Sequence, residues 1–416
     1  MEKTLDNPAL TRTQKIARAQ IFKLLKQLEN VELLVEENGE SHRFGRADTA
    51  LRASLQVHSP EFYRRVLFGG SIAAGETWVE ELWSSPDLVS VIRIFARSLE
   101  QVESLESRLA WLRKPAEMVW QFSRRNTQRG SRANIAAHYD LGNDMYALFL
   151  DPMMQYSSAI FPFPDATLSQ AQRHKVKTIC EKLELQPGDQ VLEIGSGWGG
   201  LACYMANHFG CQVTTTTLSQ AQYEYAKKNI AVQGLQDRVS ILLQDYRQLT
   251  GQYDKIVSVE MIEAVGHDFL PIYFKQLGRL LKPSGQMLMQ AITIADQRYR
   301  QYRRSQDFIQ RYIFPGGALP SLSEMCRHLH QQTDMTVSAV STHGHDYAQT
   351  LYLWQQAFHA KAGRLMQLGY DADFQRLWQF YFAYCEAGFR EGAIDLLQFE
   401  AKKPEVRRCL NGNGAN

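Results

Sequence analysis

Short apolar runs alternate with amphipathic stretches through the middle of the chain, and this alternation predicts strands separated by helices. Val191, Leu192 and Ile194 form a β-branched-rich run suited to a strand buried in a parallel sheet. Helical spacing resumes over Leu201–His208. Gln212–Thr217 then reads as a second strand, Ser219–Gln233 as a helix, Val239–Leu243 as a third strand and Tyr253–Val259 as a fourth. Ile272–Leu281 is helical, the turn signal Lys282–Gly285 follows, and Gln286–Ile294 reads as a fifth strand. Leu168–Leu183 supplies a helix before the first strand. The order predicts an α/β fold, an open, doubly wound and mostly parallel Rossmann-like sheet with ligands beyond the carboxyl ends of its strands. Tyr347–Gln398 reads as largely helical and aromatic-rich. Upstream, Val31–Glu36 and Ala53–Val57 have strand character, and Glu61–Leu67 and Pro86–Arg97 have helical periodicity, which makes a smaller α+β unit. Residues 1–20 are polar and read as frayed, and Arg97–Arg125 suits a helical connector. The basic, turn-rich Ser123–Arg132 is the boundary, giving an N-terminal domain over 1–131 and a second over 132–416.

Composition narrows the class. The 416 residues are 44% hydrophobic and 22% charged, enough for two packed cores. Net charge is +2, from 46 basic and 44 acidic residues, so no nucleic-acid partner is expected. The first residues carry no apolar signal-peptide core, and no apolar stretch is long enough to span a bilayer. Six cysteines are scattered without a CxxC pair, which suits reduced thiols in a cytoplasm rather than a disulfide framework or a metal site.

Candidate chemistry begins at VLEIGSGWGG, Val191–Gly200. Gly195, Gly197 and Gly199 close a strand and open a helix, where backbone must come close to a ligand and free N–H groups face it. Glu193 lies inside the motif, and the spacing is GxGxG rather than the dinucleotide GxGxxG. The pattern resembles the S-adenosylmethionine loop of class I methyltransferases. At the end of the second strand, where such folds meet the ribose, stand Thr217 and Leu218, with Gln222 one turn on. At the end of the third strand, Asp245 is placed to accept from an adenine amino group and Tyr246 to stack on it.

A wider set of segments makes the resemblance specific. His138–Phe161, the glycine loop, TLSQAQ, IVSVEMIEAVGH (Ile256–His267), IFPGG (Ile313–Gly317), Tyr347 and Phe380–Phe399 resemble, in register, the cyclopropane-fatty-acyl-phospholipid synthase family, which includes the mycolic acid cyclopropane synthases. Phe62–Leu88 resembles the amino-terminal domain of its phospholipid-acting members. The resemblance implies S-adenosylmethionine as donor and methyl(ene) transfer to the double bond of an unsaturated phospholipid acyl chain, giving a cyclopropane. It implies a bound bicarbonate ion as base, at positions that match Glu263, Ile292 and Tyr347. Two members of that anion site depart from the pattern, with Ser158 for a cysteine and Gln290 for a histidine. Glutamine donates a hydrogen bond but carries no positive charge. A weakened site would let the cation resolve to a methyl- or methylene-branched chain. By the same resemblance Cys385 is associated with the active site, Tyr156 and Ser157 touch the donor's carboxylate, and His138, Tyr139 and Asp140 order the entry segment.

Two basic, turn- or tyrosine-bearing runs, Arg124–Arg132 and Arg298–Arg304, offer contacts to an anionic membrane surface. The expectation is a cytoplasmic protein held peripherally at the inner membrane face, with a homodimer left open. A small-amine N-methyltransferase and a lipid-binding protein with a vestigial donor pocket are the competing readings.

Overall fold

The computed structural model describes residues 10–98, 126–127, 130–131, 134 and 142–405. The chain forms two compact units, one of Met1–Val119 with His359–Ala393 and the other of Trp120–Phe358 with Ile394–Asn416.

The first unit opens with α1 (Arg12–Leu25), which corrects the expectation of a frayed start. Thr11 caps it in a reciprocal box: its hydroxyl accepts from Gln14 N, and Gln14 Oε1 accepts from Thr11 N at 3.0 Å. Strands β1 (Glu32–Glu37), β2 (Glu40–Gly45), β3 (Arg52–Val57) and β4 (Trp83–Ser84) make a sheet in the order β2-β1-β3-β4, with α2 (Glu61–Val79) and α3 (Leu88–Arg97). β2 (ESHRFG) is too polar to show an apolar alternation, so the pattern does not reveal it.

The second unit holds α4 (Asn143–Tyr146), α5 (Leu168–Lys182), β5 (Gln190–Ile194), α6 (Gly200–Phe209), β6 (Gln212–Thr217) and α7 (Gln220–Val232). It continues with β7 (Val239–Leu243), β8 (Tyr253–Val259), α8 (Leu270–Leu280), β9 (Leu281–Ile294), α9 (Asp296–Tyr302), α10 (Phe308–Tyr312) and α11 (Leu322–Gln332). After β10 (Thr336–Thr342), α12 (Gly344–Ala360) leads back to the first unit, where α13 (Ala362–Gln367) and α14 (Ala372–Arg390) lie. β11 (Ile394–Lys402) returns to the second. The seven strands run β10-β11-β9-β8-β5-β6-β7, parallel from β9 to β7 and antiparallel at β9, β11 and β10. This is the mostly parallel, doubly wound sheet expected.

Alternation along the central strands feeds two cores. Leu192, Ile256, Met287 and Met289 pack with Phe274 and Leu277 of α8 and Met325 of α11. Val191, Val257 and Leu288 turn the other way, onto Val176 and Ile179 of α5 and Leu201 and Met205 of α6. The carboxyl ends of β5, β6, β8 and β9 therefore share one edge.

Two readings are corrected. Ile394–Gln398 was expected in a helical stretch but belongs to β11, because its apolar run is buried between β9 and β10. The expected boundary assigned 359–393 to the second domain. In the structure α14 packs on α2 and α3 instead, and Glu391 takes ion pairs from Arg93 and Arg97 at 2.6 and 2.5 Å.

Candidate active site

At the glycine loop three positive φ angles, 98° at Gly195, 49° at Gly197 and 84° at Gly199, bend the chain from β5 into α6. Gly195 N and Ser196 N both donate to Thr216 O, at 3.1 and 2.8 Å, which ties the loop to the end of β6. Among the described residues nothing lies within 4 Å of a Cβ at Gly197, and no side chain caps α6. The loop thus presents bare backbone and an uncapped helix start, which fits an anionic or carboxylate-bearing ligand. Gly200 serves packing: a Cβ there would lie 2.3 Å from Met153 O, so residues 151–158 cross directly over the start of α6.

That crossing segment is held by groups the sequence reading missed. Asp151 accepts from Met153 N and Gln155 N at 2.9 and 2.8 Å. Lys175, fully buried on α5, donates to Gln155 Oε1 at 3.0 Å and Ser157 Oγ at 2.8 Å. Burial pulls the lysine down to about 8 against the opposing pull of Glu260, Asp151 and Glu193. Glu193, expected at the donor, accepts from the Thr215 hydroxyl within the sheet, and burial lifts its carboxyl to about 8.

At the end of β6, Thr217 Oγ1 donates to Gln222 Oε1 at 2.9 Å, both residues buried, with Leu218 partly exposed beside them. Past β7 the structure revises two expectations. Asp245 is clasped by Arg247, from Nε at 2.8 Å and Nη2 at 2.7 Å, so its carboxylate is largely committed to a local ion pair. Tyr246 is a core residue, set edge-on to Tyr273 at 5.1 Å, because its ring follows the turn inward beneath the sheet edge. It is not a stacking platform.

Beyond β8 and β9 the five residues assigned to an anion site come together around a sixth that the reading passed over. Glu260 Oε1 accepts from Ser158 N at 2.9 Å and from Gln290 Nε2 at 2.9 Å, and its Oε2 accepts from Tyr347 Oη at 2.6 Å. Gln290 also donates to Ser158 O at 3.3 Å, and its own Oε1 accepts from Gln398 Nε2 at 3.0 Å, which fixes which end of the amide faces Glu260. Glu263 Oε1 accepts from Ile292 N at 2.5 Å, while its Oε2 is buried with no hydrogen-bond partner among the described residues. Burial, reinforced by the charge on Glu260, raises Glu263 to about 8, so it carries a proton at neutral pH. Burial also raises Glu260, opposed by its three hydrogen bonds and Lys175. Glu260 has φ +49°, a left-handed conformation that costs a non-glycine residue about 1 kcal/mol. Such a carboxylate, strained in backbone and satisfied in side chain, was visible in the sequence only as one acid in VEMIEAVG.

Bicarbonate does not fit this arrangement. Three of its expected donors are already taken by Glu260, and the other two, Glu263 and Ile292, bond to each other.

An aromatic wall runs from this cluster to the glycine loop. Tyr347 lies edge-on to Trp354 at 6.2 Å, Trp354 faces Tyr156 at 5.3 Å, Tyr156 packs on Tyr146 at 5.1 Å, and Tyr146 packs on Trp198 of the loop at 5.0 Å. Cys385 is half-buried on α14, in the first unit. His138–Asp140, and Arg124, Arg125, Arg129 and Arg132 of the first basic run, lie outside the described residues. In the second run Arg300, Arg303 and Arg304 are exposed, but the tyrosines expected at a lipid interface turn inward: Tyr299 is buried against His267, and Tyr302 Oη accepts from Gln310 and from Leu319 N.

A doubly wound sheet, a GxGxG loop opening α6 and buried polar groups at the ends of β6 and β7 define a class I S-adenosylmethionine-dependent methyltransferase. The model of the family described as mycolic acid cyclopropane synthetase matches residues 126–399, and the chain belongs to that family. Among curated relatives, tuberculostearic acid methyltransferase UfaA1 of Mycobacterium tuberculosis is 42% identical over 83% of this chain and 82% of its own. The cyclopropane-fatty-acyl-phospholipid synthase of Escherichia coli is 37% identical over 83% of this chain and 87% of its own. Its alignment of 348 residues necessarily reaches into the first unit. The solved cyclopropane synthase MmaA2 from Mycobacterium tuberculosis is 30% identical with a TM-score of 0.62, over 65% of this chain and 98% of its own. The mycolic acid cyclopropane synthase CmaA1, solved with SAH and CTAB, is 33% identical with a TM-score of 0.61, over the same shares.

Proposed function

We propose that this enzyme, a lipid-modifying methyltransferase by family, acts on a carbon–carbon double bond in an unsaturated phospholipid acyl chain, with ring closure to a cyclopropane as the outcome. The observation that carries the reading is the aromatic wall between the glycine loop and Glu260. Bound S-adenosylmethionine supplies an electrophilic methyl group, and Gly195–Gly199, Thr217 and Gln222 are the residues that would hold it. An alkene is a weak nucleophile, so the chain's task is positioning. Tyr156 keeps accessible surface and is backed by the buried Trp354, so it offers an apolar surface for an acyl chain and a π-face that would stabilise positive charge developing on it.

The phospholipid form of the substrate is favoured by the alignment with the E. coli synthase through the first unit. Among the described residues no helix is long and apolar enough to cross a membrane, so the acyl chain would be met at a lipid surface. Exposed Arg300 and Arg304 suit an anionic one, at about 1 kcal/mol per basic residue. A second reading keeps the donor and substrate but ends in a methyl- or methylene-branched chain. It is favoured by the carboxylate at Glu260 and by the 42% identity to a tuberculostearic acid methyltransferase. The coclaurine N-methyltransferase structure, at 18% identity, shares the fold alone and lends no support to a small-amine substrate.

The test supplies methyl-deuterated S-adenosylmethionine and vesicles of monounsaturated phosphatidylethanolamine and phosphatidylglycerol. Deuterium in the acyl chain supports the reading, and its absence overturns it. From the deuterated donor a ring keeps two donor deuteriums and a methyl-branched alkene keeps three, and a parallel run with unlabelled donor shows cyclopropane methylene or olefinic signals by proton NMR.

A further inference from the structure

We propose that Glu260 is the resident base of this enzyme: its carboxylate sits, on a tether, where the family resemblance implies a diffusible bicarbonate ion, and it accepts the proton released by the alkylated acyl chain. The inference rests on the reading of the substrate given above. Its own ground is geometric. Ser158 N, Gln290 Nε2 and Tyr347 Oη, from three separate segments, all donate to this one carboxylate. These are three of the five groups the resemblance assigns to the anion, and a carboxylate offers them the same planar pair of oxygens that bicarbonate would.

Position 260 supports the assignment independently. Its φ of +49° is glycine territory, yet a charged residue is kept there, at the carboxyl edge of β8 and next to Met261, which packs on Gly195 of the loop. Glu260 keeps accessible surface although it lies deep in its unit, as a residue lining a cavity does. Three donors converge on Glu260, as on an ionised carboxylate, whereas Glu263 accepts only from Ile292 N and is raised by burial and by Glu260, so Glu260 is the better placed of the two to take a proton. The charged and titratable groups acting on Glu260 are Lys175 of α5, Tyr347 of α12 and Glu263.

The step balances as follows. The alkene's electron pair forms the bond to the donated methyl carbon, the methyl–sulfur bond breaks with its pair kept on sulfur, and the other alkene carbon becomes cationic. A proton then passes to a Glu260 oxygen. If it leaves the added methyl group, the C–H pair closes the three-membered ring. If it leaves the adjacent chain methylene, the pair becomes a shifted double bond beside a methyl branch.

The experiment compares the full-length wild type, Glu260→Gln and Glu260→Gly in carbonate-free buffer and with millimolar bicarbonate added. Wild-type methylation of monounsaturated phospholipid vesicles should be unchanged by bicarbonate. Glu260→Gln should lose about a hundredfold or more in either buffer. Glu260→Gly, which relieves the backbone and leaves the three donors facing a space, should lose as much in carbonate-free buffer and regain at least about tenfold with bicarbonate. Carbon-13 NMR of labelled bicarbonate gives a reading apart from turnover: its line should broaden with Glu260→Gly and not with wild type. Wild-type dependence on bicarbonate, or bicarbonate binding to wild type at this site, overturns the proposal. So does an active Glu260→Gln. If wild type leaves the lipid unlabelled, the substrate reading fails, and the NMR comparison still decides whether Glu260 fills the anion site.

Discussion

The glycine loop and the carboxylate cluster sit at the same sheet edge but are built in opposite ways. The loop is ten consecutive residues whose φ angles, backbone donors and missing Cβ atoms do the work together. The cluster draws Ser158, Glu260, Gln290, Tyr347 and Gln398 from five segments and has no sequence neighbourhood of its own. The loop therefore announces a ligand and says little about the reaction, whereas the cluster determines where a proton goes and announces nothing. Variants that damage one and spare the other separate these roles.

The largest effect is expected at Gly197. Among the described residues a Cβ there meets no atom within 4 Å, so Gly197→Val should fold, yet its branched side chain would enter the space the donor needs and strain a φ of 49°. Calorimetric affinity for S-adenosylhomocysteine should fall by about a hundredfold or more. Unchanged affinity would remove the loop from the donor site. Tyr347→Phe is the converse. It deletes one hydrogen bond to a buried carboxylate, which is worth about 1.5–3 kcal/mol when the partner is charged. Turnover should drop about ten- to a hundredfold with donor affinity intact. A drop in donor affinity instead would mean that the two regions are not separable.

That contrast also explains how much was legible beforehand. Strands β5 to β8 and the helices between them follow from apolar periodicity, and the glycine loop follows from its spacing. β11 was hidden because Ile394–Phe399 follows an aromatic helix directly, with the single Gly392, at φ 66°, as the turn signal between them. Family resemblance supplied Ser158, Glu263, Gln290, Ile292 and Tyr347 by position, and with them an anion whose donors are already engaged. Ser158 and Gln290 looked like losses when each was read alone. Next to Glu260 they are donors to a carboxylate, which needs hydrogen bonds and not a second positive charge beyond Lys175. Glu260 escaped notice because its meaning lies in a φ angle and three distant partners. Tyr246 failed in the other sense: a turn tyrosine reads as a ligand platform until the core beneath the sheet edge is seen to claim it.

The acids of the cluster should mark the protein's stability. Glu263 ionises at about 8 in the folded chain against 4.5 when exposed, so the folded state retains a proton that the unfolded state has lost between those values. Stability from that proton is full below about 4.5 and is lost as pH rises through about 8. Glu193 acts in the same direction, whereas Lys175, lowered from 10.5 to about 8, adds stability as pH rises between those two values. Glu263→Gln removes one of these contributions. The urea midpoint of wild type minus that of the variant should fall from pH 4.5 to pH 8. A difference that does not vary with pH would show that Glu263 is ionised in the native state.

The smallest and sharpest effect belongs to Gln398, which touches neither the loop nor Glu260 and acts by holding Gln290 Oε1 at 3.0 Å. Its own Oε1 is buried without a partner among the described residues, so Gln398→Leu removes an unsatisfied polar atom along with the hydrogen bond, and the fold should tolerate it. Without that hold, Gln290 can turn its carbonyl toward Glu260, where two acceptors would repel. One hydrogen bond's worth of orientation corresponds to a loss in turnover of about two- to tenfold. If Gln398 acts only by orienting Gln290, the loss should vanish in a Gln290→Leu background, where no amide remains to be oriented. A double-mutant cycle on turnover measures this coupling. Equal losses in both backgrounds would make Gln398 a packing residue of β11, and the chain of amides would end at Gln290.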